Sequence, residues 1–174
     1  MAGEIRIGVS SCLLGEQVRY DGGHKHDACI TGVLGSLFTF VPVCPEVGCG
    51  LTVPREAMRL EGDPASPRLV THGSRHDLTD RMLDYCRRQV EELGKGDLCG
   101  FIFKKGSPSC GVHRVPVHDD RGNPVGCARG IFAVSVTEWL PLLPVAEEEE
   151  LHDPVIRENF IKRVMGKADA GRSA

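Results

Sequence analysis

At 174 residues, 41% of them hydrophobic and 26% charged, the chain has the length and composition of one soluble globular domain that buries a core without covalent staples. A formal net charge of -3 excludes the broad positive field that grips nucleic acid, and no apolar run is long enough to span a membrane. Eight cysteines follow a start, Met1-Ala2-Gly3-Glu4-Ile5-Arg6, with neither the basic flank nor the apolar core of an export signal. That places the chain in the cytoplasm, where cysteines serve metal binding, thiol chemistry or packing rather than disulfides.

Residues 5–10, short and rich in β-branched side chains, read as a first strand opening into a loop at Ser11-Cys12. The loop continues through Gly15 and the turn Asp21-Gly22-Gly23, and the spacing of Ala28, Ile30, Val33, Leu34 and Leu37 predicts a helix over 24–36. Phe38 to Val43 is a second strand, with Pro42 near its end. A loop over 44–57 leads to Met58-Arg59-Leu60 and Arg68-Leu69-Val70, which can pair as a hairpin around Gly62-Asp63-Pro64. From Arg75 to Leu93, Leu78, Met82, Tyr85, Cys86, Val90 and Leu93 fall at helical spacing, and Gly94 and Gly96 end the run. Residues 99–103 make another buried strand, Val115-Pro116-Val117 a further short one, and 126–140 a buried apolar helix stopped by Pro141. The tail carries a solvated acidic run, Glu147 to Glu150, a helix over 153–164 and a disordered end.

Strands alternating with helices imply a single α/β domain of Rossmann-like type, a mostly parallel sheet with helices on both faces. Ligands of such sheets sit beyond the carboxyl ends of the strands. Cys12, Cys44 and Cys110 each follow a strand and emerge on that edge, while Cys29, Cys86, Cys99 and Cys127 read as small buried hydrophobes. Three thiolates suit zinc, if a fourth ligand such as Cys49 completes a tetrahedron, or an iron-sulfur cluster held at three corners. No CxxC pair is present, and the residues alone leave both open, a structural or partner-binding zinc or thiol module being the alternative to an enzyme.

Three stretches, SSCLLGEQVRYDGGHK (10–25), PVCPEVGCGLTVPRE (42–56) and FKKGSPSCGVHR (103–114), resemble the thiouracil desulfidase family, a likeness that runs from about residue 5 to 140. The resemblance implies a desulfidase-like α/β domain over 1–145, with 146–174 as an acidic and helical tail. It also implies a [4Fe-4S] cluster held by Cys12, Cys44 and Cys110 with the fourth iron open to substrate sulfur. The implied reaction is non-redox, hydrolytic removal of sulfur, as hydrogen sulfide, from a thiolated pyrimidine base, nucleoside or nucleotide such as thiouracil or thiouridine.

Glu46, two residues from one cluster ligand, is then the candidate acid-base, and Ser107 the catalytic helper. Ser109, Arg19, Asp21 and Lys104 are candidates for holding substrate, Lys104 through a phosphate; an Arg19 to Asp21 ion pair shaping the loop is the plainer reading of that pair. Cys49 reads as a spare thiol, and His72, His76, His113 and His118 receive no ligand role. The tail resembles the junction to a second domain in longer relatives that act on thiolated RNA, so a chain ending here is expected to take a small molecule rather than nucleic acid or membrane.

Overall fold

Eight strands form two sheets in the computed structural model, which describes Gly3 to Ser173; Met1, Ala2 and Ala174, the outermost residues of the export-signal and tail expectations, lie outside the described residues. The strands are Arg6–Ser10 (β1), Thr39–Val43 (β2), Met58–Glu61 (β3), Arg68–Thr71 (β4), Gly100–Phe103 (β5), Val115–His118 (β6), Pro124–Ala128 (β7) and Val145–Glu147 (β8). The α-helices are Ala28–Val33 (α1), Pro45–Gly48 (α2), Thr79–Lys95 (α3), Ile131–Trp139 (α4) and Pro154–Arg172 (α5).

The first sheet, in the order β2-β1-β5-β8, is parallel throughout. The chain leaves β1 to one side for β2 and returns to its other side as β5, so a topological switch point lies at the carboxyl ends of β1 and β5. Its alternating side chains feed two cores, as expected of a parallel sheet covered on both faces. Phe101, Phe103 and Val43 join α3 and α4 on one face; Ile7, Val9, Ile102 and Ala146 join Ile30 of α1 and Phe160 and Val164 of α5 on the other. Phe101 and Phe103 stack at 4.2 Å between ring centroids, and Phe101 lies so close to β1 that a Cβ on Gly8 would stand 2.3 Å from its ring. Gly8→Ala is therefore expected to cost about 1–3 kcal/mol through overpacking, measurable as a lower urea midpoint at unchanged m-value.

The predicted hairpin forms as β3-β4, but it belongs to a second, mixed sheet ordered β4-β3-β6-β7, which the sequence reading did not anticipate. A second hairpin pairs β6 with β7, and the two hairpins join through the parallel β3-β6 contact. The apolar stretch 126–140 is thus not one helix. The turn before it explains the difference: Asp119 accepts from Arg121 N at 2.9 Å and Asn123 N at 2.8 Å, Gly122 supplies a φ of 89°, and the chain doubles back as β7 before α4 begins. Cys127 consequently sits exposed on a strand rather than buried in a helix.

The first helix is shorter than its periodicity predicts. Lys25 N and Asp27 N donate to the carbonyls of Cys12 and Leu13, both at 2.9 Å, so residues 25–27 are tied to the turn after β1, and Asp27 caps α1 by accepting from Ile30 N at 3.0 Å. At the other end, α5 is longer than expected and packs Phe160, Val164 and Ala168 into the core. The acidic run expected in solvent is half buried: Glu147 ends β8, and Glu147 and Glu148 are each 4% exposed.

Candidate active site

Three parallel strands deliver three thiols to one edge. Cys12 lies in the 3-10 turn Ser11–Leu14 directly after β1, a turn ended by Gly15 at φ 90°. Cys44 follows β2 and caps α2, where its carbonyl accepts from Gly48 N at 2.8 Å. Cys110 lies beyond β5 in a loop held by the start of α4: Gly130 N donates to Gly111 O at 2.7 Å, and Phe132 N to Ser109 O at 2.9 Å. The fit there is close, since a Cβ on Gly130 would stand 2.5 Å from the Ser109 carbonyl group. Gly130→Ala must push the Cys110 loop aside, and is expected to lower the iron retained per chain after anaerobic gel filtration more than it lowers the far-ultraviolet helix signal.

All three thiols line a single cavity of about 450 Å³ at the switch point, to which Ala57, Met58 and His72 at the margin of the second sheet also contribute. Among the described residues, no three His, Cys, Asp or Glu side chains gather tightly enough to share one metal ion. The thiols instead stand around the cavity. Burial pushes the Cys12 thiol up to about 11, against the nearby charges of Arg19 and Lys104 that favour its thiolate. Burial likewise raises Cys44 and the enclosed Cys110, for which the neighbouring Cys44, Glu46 and Cys12 charges add to the rise. This is a donor set that holds its protons when empty and gives them up to a cationic group. Three such sulfurs around one space, with Arg19 and Lys104 near enough to favour the Cys12 thiolate, fit a cluster bound at three corners.

Glu46 enters the cavity from the first turn of α2, with Pro45 at the N-terminal position that tolerates its missing donor. Its Oε1 accepts from the Ser109 hydroxyl at 3.1 Å, and Ser109 Oγ stands 3.0 Å from Ser107 Oγ. Three of the six residues that the sequence named for catalysis or substrate contact thus form one hydrogen-bonded row. The opposite oxygen, Oε2, takes Nε of Arg55 at 3.0 Å and its Nη2 at 2.5 Å. Arg55 also donates to Val18 O at 2.8 Å and Thr52 O at 3.1 Å, and its side chain is 7% exposed. Sequence reasoning missed this buried pair. The signal was present in the quoted stretch PRE, but an arginine nine residues away cannot be matched to a glutamate by spacing alone.

The other candidates divide. Arg19 lines the cavity with its Nε buried and without a hydrogen-bond partner, its guanidinium 5.7 Å from the Tyr20 ring centroid. Asp21 is not brought to the cavity: its carboxylate accepts from Gly23 N at 2.9 Å and shapes the turn, and no Arg19 to Asp21 ion pair forms among the described residues. Lys104 does reach the wall, but its ammonium pairs with the buried Glu148, whose other oxygen accepts from Lys105 N at 2.6 Å. Glu147 similarly holds the loop after Cys110, accepting from Val112 N at 2.8 Å. Cys49 turns from the cavity, donating to Glu46 O at 3.2 Å, so a zinc site completed by Cys49 has no support in this arrangement.

Comparison with known proteins points the same way. A solved structure described as the [4Fe-4S]-dependent thiouracil desulfidase TudS superposes with a TM-score of 0.69 at 27% identity, over 90% of this chain and 99% of that one. The Bacillus subtilis (strain 168) protein YbbK, described as uncharacterized, is 29% identical over 108 residues, 59% of this chain and 71% of YbbK. The profile of the 2-thiouracil desulfurase family matches residues 7–148, which takes in both sheets, all three cavity thiols and the Glu46, Ser107 and Ser109 row. The chain belongs to the 2-thiouracil desulfurase family.

Proposed function

We propose that this protein is a desulfidase that removes sulfur from thiouracil-type pyrimidines, as free base, nucleoside or nucleotide, by a hydrolytic reaction that releases hydrogen sulfide without net redox change. The observation that carries the reading is the convergence of Cys12, Cys44 and Cys110 on one cavity whose wall also presents the Glu46-Ser109-Ser107 row. A [4Fe-4S] cluster held by those three cysteines supplies, when bound, a Lewis-acidic iron without a protein thiolate. Three cysteine thiols lining one cavity, with Cys49 turned to the Glu46 carbonyl, suit a cluster bound at three corners.

The protein's own residues do the rest. Glu46, held in place by Arg55, takes and returns the protons that move between water, ring and leaving sulfur, a role worth about 10²- to 10⁴-fold in general acid-base catalysis. Ser107 presents a hydroxyl to the same space. The cavity falls within the range of about 300–1,000 Å³ usual for small-ligand sites. Arg19 and Lys25 line it without a carboxylate partner among the described residues, whereas Lys104, Lys105 and Arg55 are each paired; the wall at Arg19 and Lys25 is where an anionic substituent of a nucleotide would be met.

Anaerobic purification, iron and sulfide analysis, and sulfide release from 2-thiouracil, thiouridine and their phosphates test the proposal. Sulfide release without any reductant is the expected result. Bound zinc with no labile sulfide, or an absolute need for electrons, would overturn it.

A further inference from the structure

Building on the desulfidase reading, we propose that Ser109 is a positioning residue that couples the Ser107 hydroxyl to the Glu46 carboxylate in a one-way hydrogen-bond chain. Counting donors gives the direction. Ser107 Oγ accepts from Ser109 N at 3.3 Å and from Cys110 N at 3.1 Å, which fills both of its lone pairs. Its single proton is left for Ser109 Oγ, 3.0 Å away. At the far end, Glu46 Oε1 can only accept, so the single proton of Ser109 is committed to it over 3.1 Å. The alternative acceptor of that proton, Cys110 Sγ, lies at 3.9 Å and is the weaker partner beside a carboxylate. Ser107 therefore donates to Ser109, and Ser109 donates to Glu46.

Both ends are braced. Arg55 places Nε and Nη2 on Oε2 alone, which turns Oε1 toward Ser109. The Ser109 backbone is held because its carbonyl accepts from Phe132 N at 2.9 Å and Ala133 N at 3.1 Å, and the residue is 1% exposed. Ser107 Oγ, with both lone pairs and its proton engaged, takes no proton itself. The chain instead fixes Oε1 of Glu46, whose other lone pair is left to take a proton from the attacking water, one O–H bond broken and one formed, and reversal gives that proton to the departing sulfur. Ser107 and Ser109 stay behind the carboxylate.

The test uses cluster-loaded protein and 2-thiouracil. Ser109→Ala is expected to lower kcat by about 10- to 100-fold, the loss of one hydrogen bond to a charged group, with KM and iron content unchanged. Ser109→Thr, which keeps the hydroxyl, should recover most of that loss. The double variant Ser109→Ala/Glu46→Gln should be no slower than Glu46→Gln alone, because the two changes break one chain. A raised KM at intact kcat, or losses that multiply in the double variant, would overturn the coupling. Neutron diffraction from deuterated crystals of the unsubstituted protein gives a readout free of activity: deuterium on Ser107 facing Ser109, and deuterium on Ser109 facing Glu46, is expected. The opposite orientation overturns the coupling whatever the turnover. The expected orientation in a loaded protein that releases no sulfide from thiolated pyrimidines would overturn the proposed function and leave the coupling standing.

Discussion

Alanine at any one of Cys12, Cys44 and Cys110 is expected to abolish cluster loading, from about four iron and four sulfide per chain to a small fraction of that, while alanine at Cys49 or Cys127 leaves loading intact. The contrast follows from placement. The first three thiols line the cavity at the carboxyl ends of β1, β2 and β5; Cys49 donates to Glu46 O, and Cys127 is exposed on β7. Fold loss is not the cause in this account, because a cysteine-to-alanine change removes little volume and the strands are held by their own pairing and core. Circular dichroism of the three variants should match the parent. Loading that survives Cys44→Ala, or that fails equally with Cys49→Ala, would disprove the three-cysteine set.

The second large effect is a split between stability and turnover at the Glu46-Arg55 pair. Arg55→Met strands a carboxylate that is 14% exposed, and breaking such a buried pair from one side costs about 3–5 kcal/mol. Arg55→Met/Glu46→Gln leaves no bare charge and should regain much of that loss. Turnover follows a different order. Glu46→Gln leaves an amide oxygen to accept from Arg55 and so loses less stability than Arg55→Met and keeps the iron, but it loses about 10²- to 10⁴-fold in kcat, and the double variant, though more stable than Arg55→Met, stays as inactive. Urea melts and sulfide release on the same three proteins check both orders. Equal stability of Arg55→Met and the double variant would show that the pair is solvated and contributes little.

Much of the fold was legible because hydrophobic period carries it. The strand 5–10, the helix with Met82, Tyr85, Cys86, Val90 and Leu93 on one stripe, and the strand before Lys104 appear where the pattern puts them. Parallel order then follows from chain alternation, and it brings Cys12, Cys44 and Cys110 to one edge. What escaped was set by long-range partners. Residues 126–140 are apolar throughout, so their period does not separate β7 from α4; the turn at Asp119 to Asn123 decides it. Glu147 and Glu148 look like solvent charges in isolation, and the amides of Val112, His113 and Lys105 and the ammonium of Lys104 make their burial affordable. Arg55 was hidden for the same reason: its partners Val18 and Tyr20 lie in the first loop, far away in sequence.

The way β8 closes the first sheet has a consequence for the order in which the molecule comes into being. Phe101, Ile102 and Phe103 pair with Val145, Ala146 and Glu147, and the loops on either side of Cys110 are pinned by Glu147 and Glu148. A nascent chain carries all three thiols once Cys110 has emerged, yet the strand that shelters β5 and the carboxylates that fasten those loops arrive nearly forty residues later. Until then the thiols are attached to a ribosome-bound polypeptide without a cavity. If the three cysteines hold a cluster as proposed, its walls are complete only once β8 has joined β5, so stable loading is expected of a chain folded through β8 and not of a segment that stops before it.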